Sequence, residues 1–219
     1  MFAARLGRPA LRSWRTNRLF GMFRGKPPIR DASELSRFID ENAAFLVQKG
    51  IYEYSRARAG HYAKVLFAEQ PFLETVEQSR WRAYPLGLAM VAEMTEGALR
   101  PHADGGGAIA DSLAALVLAV FDGYPVPAAL GRDTWLAARG DLAQRLARVT
   151  MHPPKRVIDI PEPFAKGYFA LMPIHERLRG EDFSTLRSYL RVTLCNIHDE
   201  FTKRIDPPSV VQSLRATAP

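Results

Sequence analysis

The chain has 219 residues, of which 47% are hydrophobic and 24% charged, which is the composition of a globular protein and excludes disorder of the whole chain. The formal net charge of +7 is unevenly distributed: positions 1–30 hold eight basic residues and no acidic one, whereas the remaining positions hold 22 basic and 23 acidic residues. A single cysteine excludes a disulfide within the chain.

The first 30 residues predict a cationic arm joined to a nearly neutral body. Arginines interrupt every apolar stretch of the arm, so a secretory signal does not fit. The open interpretations are a retained arm on an anionic membrane surface, a targeting segment, an arm on nucleic-acid phosphates and a solvated tail. The candidate surface-binding residues are Arg5, Arg8, Arg12, Trp14, Arg15 and Arg18.

Helical spacing begins directly after the arm. Asp31, with Glu34 three residues later, resembles a capping box at the start of a predicted helix that ends near residue 58, and a short second helix is expected at 61–69. Pro71 suits the first turn of a third helix. Pro85 is expected to kink or end that helix, and helical spacing resumes over residues 86–99.

Residues 105–122 are expected to form the element around which the other helices pack. Positions 113–121 are nine consecutive apolar residues, too few for a bilayer span, which needs about 20. This composition predicts a helix buried on all sides. The glycines at 105–107 could bring backbone amides to an anion, but no P-loop lysine follows them, so a loop hinge is favoured.

Three further helices are expected, at residues 134–149, 161–172 and 183–205, with an irregular segment at 151–160. The first and the last of them each follow an aspartate suited to the N-cap. The last has the clearest apolar stripe, which must be buried against the body or against a second copy. A homo-oligomer formed through this helix is therefore one alternative.

These patterns predict an all-α fold, because helical stripes are many and alternating strand patterns are almost absent. We expect a single bundle-like domain of six to eight helices over residues 31–206. The basic arm or targeting segment, 1–30, precedes it, and a frayed C-terminal tail, 207–219, follows it.

The main candidate for chemistry is a set of acidic residues around one histidine. Glu93 and Glu96 share a helix face, and His102, Asp104 and Asp111 are close in sequence. Together they could bind a divalent metal or act as acid and base. The Glu-x-x-His pairs of helical di-metal proteins are missing, so surface carboxylates are the favoured interpretation.

Cys195 and His198 are three residues apart, but two ligands do not complete a metal site, and packing of the cysteine is favoured. No nucleophile elbow, zinc-protease motif or dinucleotide fingerprint occurs in the chain. The sequence therefore indicates no particular cofactor.

The favoured function is a non-catalytic helical binding or adaptor protein that takes a protein partner or a small apolar ligand and lies on an anionic surface through its arm. Its expected location is the cytoplasm, peripheral to the inner membrane, or the mitochondrial matrix if the source is eukaryotic. One alternative is a metal-dependent or acid–base helical enzyme. A nucleic-acid-binding regulator is disfavoured, because no helix-turn-helix is evident and the basic residues precede the body.

Overall fold

The computed structural model describes residues 27–103 and 107–216. These residues form an all-α architecture, as the sequence predicts, and their only extended pairing is an isolated parallel bridge between Ile29 and Ile205. The helices of the described residues are α1 Ala32–Ala59, α2 Ala63–Leu66, α3 Gln70–Leu99, α4 Gly107–Asp122, α5 Arg132–Ala147, α6 Glu162–Ala170, α7 Glu176–Arg179, α8 Phe183–Arg204 and α9 Pro207–Ala216.

The start of α1 has the predicted capping arrangement. The carboxylate of Asp31 accepts a hydrogen bond from the backbone N–H of Glu34 at 2.8 Å. The side chain of Glu34 reaches back to accept one from the N–H of Arg30 at 2.7 Å. Because these bonds satisfy donors that the first helical turn leaves open, they fix where the helix begins.

The predicted second helix is much shorter than expected. After α1 ends at Gly60, which has a φ of 53°, the chain forms a 3₁₀ turn over Gly60–Tyr62 and then the single turn of α2. The third helix begins as predicted, with Pro71 in its first turn. It continues through Pro85 to Leu99, so the expectation that this proline could end it is wrong.

The centre of the fold is the second half of α3. Every residue from Ala83 to Glu96 except Leu86 is buried, and α3 contacts α1, α4, α5, α6 and α8. Such all-round burial is the property that the sequence led us to expect of α4.

The expectation that α4 is buried on all sides is wrong. Its buried side chains form one stripe of four residues spaced four apart, and Asp111, Ala115 and Ala119 on the opposite side are exposed. The buried stripe consists of Ile109, Leu113, Val117 and Phe121. The helix therefore packs on the outside of the α3 core, in contact with α1, α5 and α9 as well.

Two details of the following segments also differ from expectation. Gly131, with a φ of 75°, is the N-cap of α5, so Asp133 lies inside the first turn and does not cap it. Trp135, Leu142 and Leu146 form the buried stripe of α5, whereas Leu136 is 50% exposed. The segment after α5, which was expected to be irregular, contains a 3₁₀ turn at Val157–Asp159.

The apolar stripe of α8 is buried inside the chain, against α1, α3 and α6. An oligomer formed through this helix would have to use its other face. Asp182 precedes the helix as predicted but makes no capping hydrogen bond. Its carboxylate instead lies 3.1 Å from the hydroxyl of Tyr54 and 3.1 Å from Nε of Arg58, which joins the start of α8 to the end of α1.

The frayed C-terminal tail that the sequence indicated is instead helix α9. Its residues Val210, Val211 and Leu214 are buried, and it contacts α1 and α4. Across residues 27–103 and 107–216, no helix has both the length and the apolar character that a bilayer span requires.

Candidate functional site

The two glutamates of the predicted acidic pocket lie on the buried part of α3, not on the surface. Glu93 is 7% exposed and Glu96 is 2% exposed. Burial of a charged carboxylate is costly unless a cation or several hydrogen-bond donors compensate it. Each of these glutamates therefore needs a cation or hydrogen-bond donors beside it.

Glu96 is compensated by Arg100, one helical turn later. The guanidinium holds both carboxylate oxygens, with Nε 2.8 Å from Oε1 and Nη2 2.7 Å from Oε2. Its remaining donors reach the carbonyl oxygens of His152 at 3.0 Å and Val149 at 3.2 Å. The hydrogen bond to Glu96 raises the pKa of Arg100 above its ordinary value.

Glu93 is compensated by a residue from the irregular segment after α5. The ammonium group of Lys155 lies 2.7 Å from Oε1 of Glu93, and Nε2 of His152 lies 3.8 Å from the same oxygen. Glu93 thus binds Lys155 directly, and Arg100, held by Glu96, binds Val149 and His152, so that the segment is attached to α3. This arrangement fastens an irregular stretch of chain to the core.

The other members of the predicted pocket do not join this pair. His102 and Asp111 are both exposed, and Asp104 lies outside the described residues. Among the described residues, no group of three or more histidine, cysteine or acidic side chains is placed to hold a metal ion. Glu93 and Glu96 therefore make internal ion pairs, a role that the sequence analysis did not assign to them.

The sequence analysis did not identify the basic partners of these glutamates, although the position of one partner in the sequence indicates its pairing. Arg100 follows Glu96 at the i,i+4 spacing that pairs charges on a helix. Lys155 lies 62 residues after Glu93, in a segment without periodicity, so no local pattern indicates that pair.

The Cys195 and His198 pair shows no sign of an activated thiol. Burial raises the pKa of the Cys195 thiol, which favours the protonated, unreactive form. Nδ1 of His198 lies 3.9 Å from a carboxylate oxygen of Asp199, its neighbour on α8. The arrangement agrees with packing of the cysteine beside the buried stripe.

A second polar cluster, which the sequence did not indicate, joins α1, α3 and the end of α4. The hydroxyls of Tyr84 and Tyr124 both donate to Oδ1 of Asp40, at 2.6 and 2.7 Å. Burial and the neighbouring carboxylate raise the pKa of Tyr84. The adjoining cavity measures about 40 Å³, space for little more than one water molecule, so it offers no room for a larger ligand beside the cluster.

A much larger open cavity lies between α1 and α8. This α1–α8 groove has a volume of about 610 Å³ and is lined by residues of α1, of α8 and of the chain just before α1. Phe38 and Ile197, 2% and 3% exposed, form its apolar floor, and Phe45, 38% exposed, lies on its edge. Charged and polar side chains border it: Glu34, Arg37, Glu41, Asn42, Lys49, Asn196, Glu200 and Arg204.

One end of the groove is formed by Pro27 and Pro28, where the described chain begins. Nε of Arg204 donates to the carbonyl oxygen of Pro27 at 2.9 Å. The bridge of Ile29 to α8 fixes the next residues, with its N–H 2.8 Å from the carbonyl oxygen of Arg204. The candidate surface-binding residues of the arm, Arg5, Arg8, Arg12, Trp14, Arg15 and Arg18, lie outside the described residues.

Comparisons with models of protein families, with curated proteins and with solved structures find no significant match to this chain.

Proposed function

We propose that this chain is a non-catalytic helical adaptor protein that lies on an anionic membrane surface through its basic N-terminal arm. The observation that carries the proposal is the separation of charge, with eight basic and no acidic residues in positions 1–30 and 22 basic against 23 acidic residues after them. Each lysine or arginine near an anionic lipid surface contributes about 1 kcal/mol to binding. On this proposal the protein is peripheral to a membrane such as the cytoplasmic face of an inner membrane.

The pairing of charges in the body supports a role for the arm as the contact with the surface. Many basic side chains of the body are held by carboxylates of the body itself, which reduces their attraction for an external anion. The ion pairs of the described residues include Arg58–Asp182, Arg100–Glu96, Arg139–Asp122, Lys155–Glu93, Arg156–Asp159, Arg191–Glu162 and Arg204–Glu200.

The lack of an assembled reaction site among the described residues favours binding over catalysis. The two buried glutamates are neutralised, burial disfavours the thiolate of Cys195, and no cluster of metal ligands forms in residues 27–103 and 107–216. Nucleophile, base and metal chemistry need groups that converge on a substrate-sized space.

The test uses the full chain with five arm arginines, Arg5, Arg8, Arg12, Arg15 and Arg18, changed to Gln. Sedimentation with vesicles of equal parts phosphatidylglycerol and phosphatidylcholine measures binding at 50 mM and 500 mM salt. We expect the unaltered chain to bind at low salt and the substituted chain to bind at least about 100-fold more weakly. High salt should release the unaltered chain, because it screens the attraction.

The matched control removes the same charge from the body. Five cations with exposed side chains, Arg56, Lys64, Arg132, Lys166 and Arg177, are changed to Gln in the full chain. This variant should bind within about threefold of the unaltered chain, since its arm is intact. Equal loss of binding in both variants, or no binding of the unaltered chain at low salt, would refute the proposal.

A further inference from the structure

The α1–α8 groove combines an apolar floor with a border that carries carboxylates, and its end coincides with the point where the N-terminal arm joins the body. We propose that residues 1–26 of the same chain dock in this groove when no anionic surface is present. The proposal names an occupant for the groove and does not depend on whether the arm binds lipid.

The arm leaves the body at one end of the groove. Arg204 holds the carbonyl of Pro27, and the pairing of Ile29 with Arg204 and Asp206 fixes the backbone that follows. Pro27 and Pro28 themselves line the groove. The last residue of the segment 1–26, Lys26, is therefore attached directly to one end of the groove, which makes docking an intramolecular step with a high effective concentration.

Residues 1–26 are long enough to extend along the whole groove. The groove runs along α1 from Glu34 to Lys49, a distance of fifteen helical steps, or about 22 Å at 1.5 Å per step. An extended chain covers about 3.3–3.6 Å per residue, so the seven residues 20–26 are enough to span the groove. A helical arm would need about fifteen residues for the same distance, which positions 12–26 supply.

The arm carries apolar side chains that can contact the apolar part of the groove. Phe45, 38% exposed, presents an apolar edge beside the nearly buried Phe38 and Ile197. Phe20 and Phe23 of the arm can cover it, and burial of a phenyl ring contributes about 1.5–3 kcal/mol. The nearest part of the arm thus carries two aromatic side chains that can contact this edge.

Charge on the border adds a smaller term. Glu34, Glu41 and Glu200 offer carboxylates to a segment that has seven basic residues in positions 1–26 and no acidic one. Arg37, Lys49 and Arg204 also border the groove, so its own charge is balanced. Arg204 is paired with Glu200, and the ammonium of Lys49 lies 5.4 Å from the ring centroid of Phe45. Apolar contact therefore contributes most of the binding free energy of docking. The exposed carboxylate of Glu41 can pair with a basic residue of the segment.

The experiment places a photo-crosslinking benzophenone amino acid at position 23 of the full chain, in place of Phe23. A dilute mixture of ¹⁴N- and ¹⁵N-labelled protein is irradiated without lipid, digested and analysed by mass spectrometry. We expect cross-links within one chain, to residues 34–49 and 193–204. Cross-links that fall elsewhere, or that join a ¹⁴N to a ¹⁵N chain, would overturn the proposal, the second by assigning the groove to another copy's arm.

Variants of the groove test the same contact. The pair Glu41→Lys and Phe45→Ala alters two exposed side chains and should lower the cross-link yield about tenfold, the loss expected for one apolar ring contact. It should also speed tryptic cleavage after Arg18 and Arg24 of the arm by a similar factor. The control pair Glu77→Lys and Leu136→Ala, also exposed but outside the groove, should change neither quantity by more than about twofold.

An unchanged yield and cleavage rate in the groove variant would overturn the proposal even if cross-links to α1 form. Because no lipid is present, failure here leaves the vesicle experiment unaffected. A failure of vesicle binding likewise leaves the docking result in place, so the two proposals stand or fall separately.

Discussion

Gly87 of α3 lies so close to Ala43 of α1 that a Cβ atom on the glycine would stand 2.9 Å from the carbonyl oxygen of Ala43. The same atom would stand 2.8 Å from Cγ2 of Val47. A backbone carbonyl cannot move aside as the tip of a flexible side chain can. Glycine at this position therefore sets how closely the two longest helices of the described chain cross in the core.

The variant Gly87→Ala should lower the free energy of unfolding by about 1–3 kcal/mol, the range for overpacking a tight core. Urea unfolding followed by circular dichroism measures it. Gly140→Ala is the matched control, since Gly140 is exposed in the middle of α5 and an added Cβ would meet nothing within 4 Å. There the change should stabilise the protein by about 0.5–1 kcal/mol through helix propensity. Equal effects of the same sign would contradict the close crossing.

The ion pair of Arg100 with Glu96 gives a second stability prediction. Arg100→Met removes the partner of a carboxylate whose side chain is 3% exposed, which should cost about 3 kcal/mol of unfolding free energy. Arg139→Met breaks the Asp122 pair, whose two side chains are 40% and 45% exposed, and should cost under about 1 kcal/mol. Thermal or urea unfolding distinguishes them. Similar losses of unfolding free energy in the two variants would show that Glu96 is not a buried charge that needs Arg100 to compensate it.

The outer helices of the core were predictable because local signals set their limits. Asp31 and Glu34 form a reciprocal cap, and the stripe of α8 has a regular spacing on one face. The central helix was not predictable in this way. The second half of α3 contains Glu93, Thr95 and Glu96, which in the sequence resemble a solvated face. In the structure they are buried, and Arg100 and Lys155 pair with the two glutamates.

Helix α4 misled the sequence analysis for the opposite reason. Its apolar run contains small side chains, and Ala115 and Ala119 can face solvent at little cost because each exposes only one methyl group. Hydrophobic composition therefore overstated its burial. The acidic pocket is likewise predicted from proximity in sequence, which places Glu93 near Asp111. In the structure Glu93 is buried and Asp111 is exposed.

Alkaline pH should destabilise the protein through its buried tyrosines. Burial raises the pKa of Tyr168 well above its ordinary value, and burial raises the pKa of Tyr189 to about 12. Above pH 10 the unfolded chain releases these protons while the folded chain keeps them, so unfolding becomes more favourable as pH rises. Each such tyrosine should remove about 1.4 kcal/mol of stability per pH unit between its unfolded and folded pKa.

The pH prediction is tested by the slope of unfolding free energy against pH from 10.5 to 11.5. Tyr168→Phe should make that slope shallower by about 1 kcal/mol per pH unit, whatever it does to stability at neutral pH. Tyr62→Phe is the control, because the side chain of Tyr62 is 65% exposed and meets solvent in both states. In the structure the Tyr168 hydroxyl is buried and donates to the carbonyl oxygen of Val47 at 2.9 Å. Identical slopes in the unaltered chain and the Tyr168 variant would contradict this burial.

The sequence predicts a tail at residues 207–219 because Pro207 and Pro208 can end α8. Proline is equally suited to the first turn of a new helix, and Val210, Val211 and Leu214 follow at spacings that place them on one face. The stripe covers the end of the bundle between α1 and α4. This packing makes residues 207–216 part of the folded body.

Leu214→Ala should therefore lower the free energy of unfolding by about 2–5 kcal/mol, because the leucine is 1% exposed and its loss leaves a cavity against α4 and α1. Leu136→Ala, at a leucine that is 50% exposed, should cost less than about 1 kcal/mol. Urea unfolding of the two variants gives the comparison. If Leu214→Ala were as mild as Leu136→Ala, the C-terminal residues would contribute nothing to the core, and α9 would not be packed on the bundle in solution.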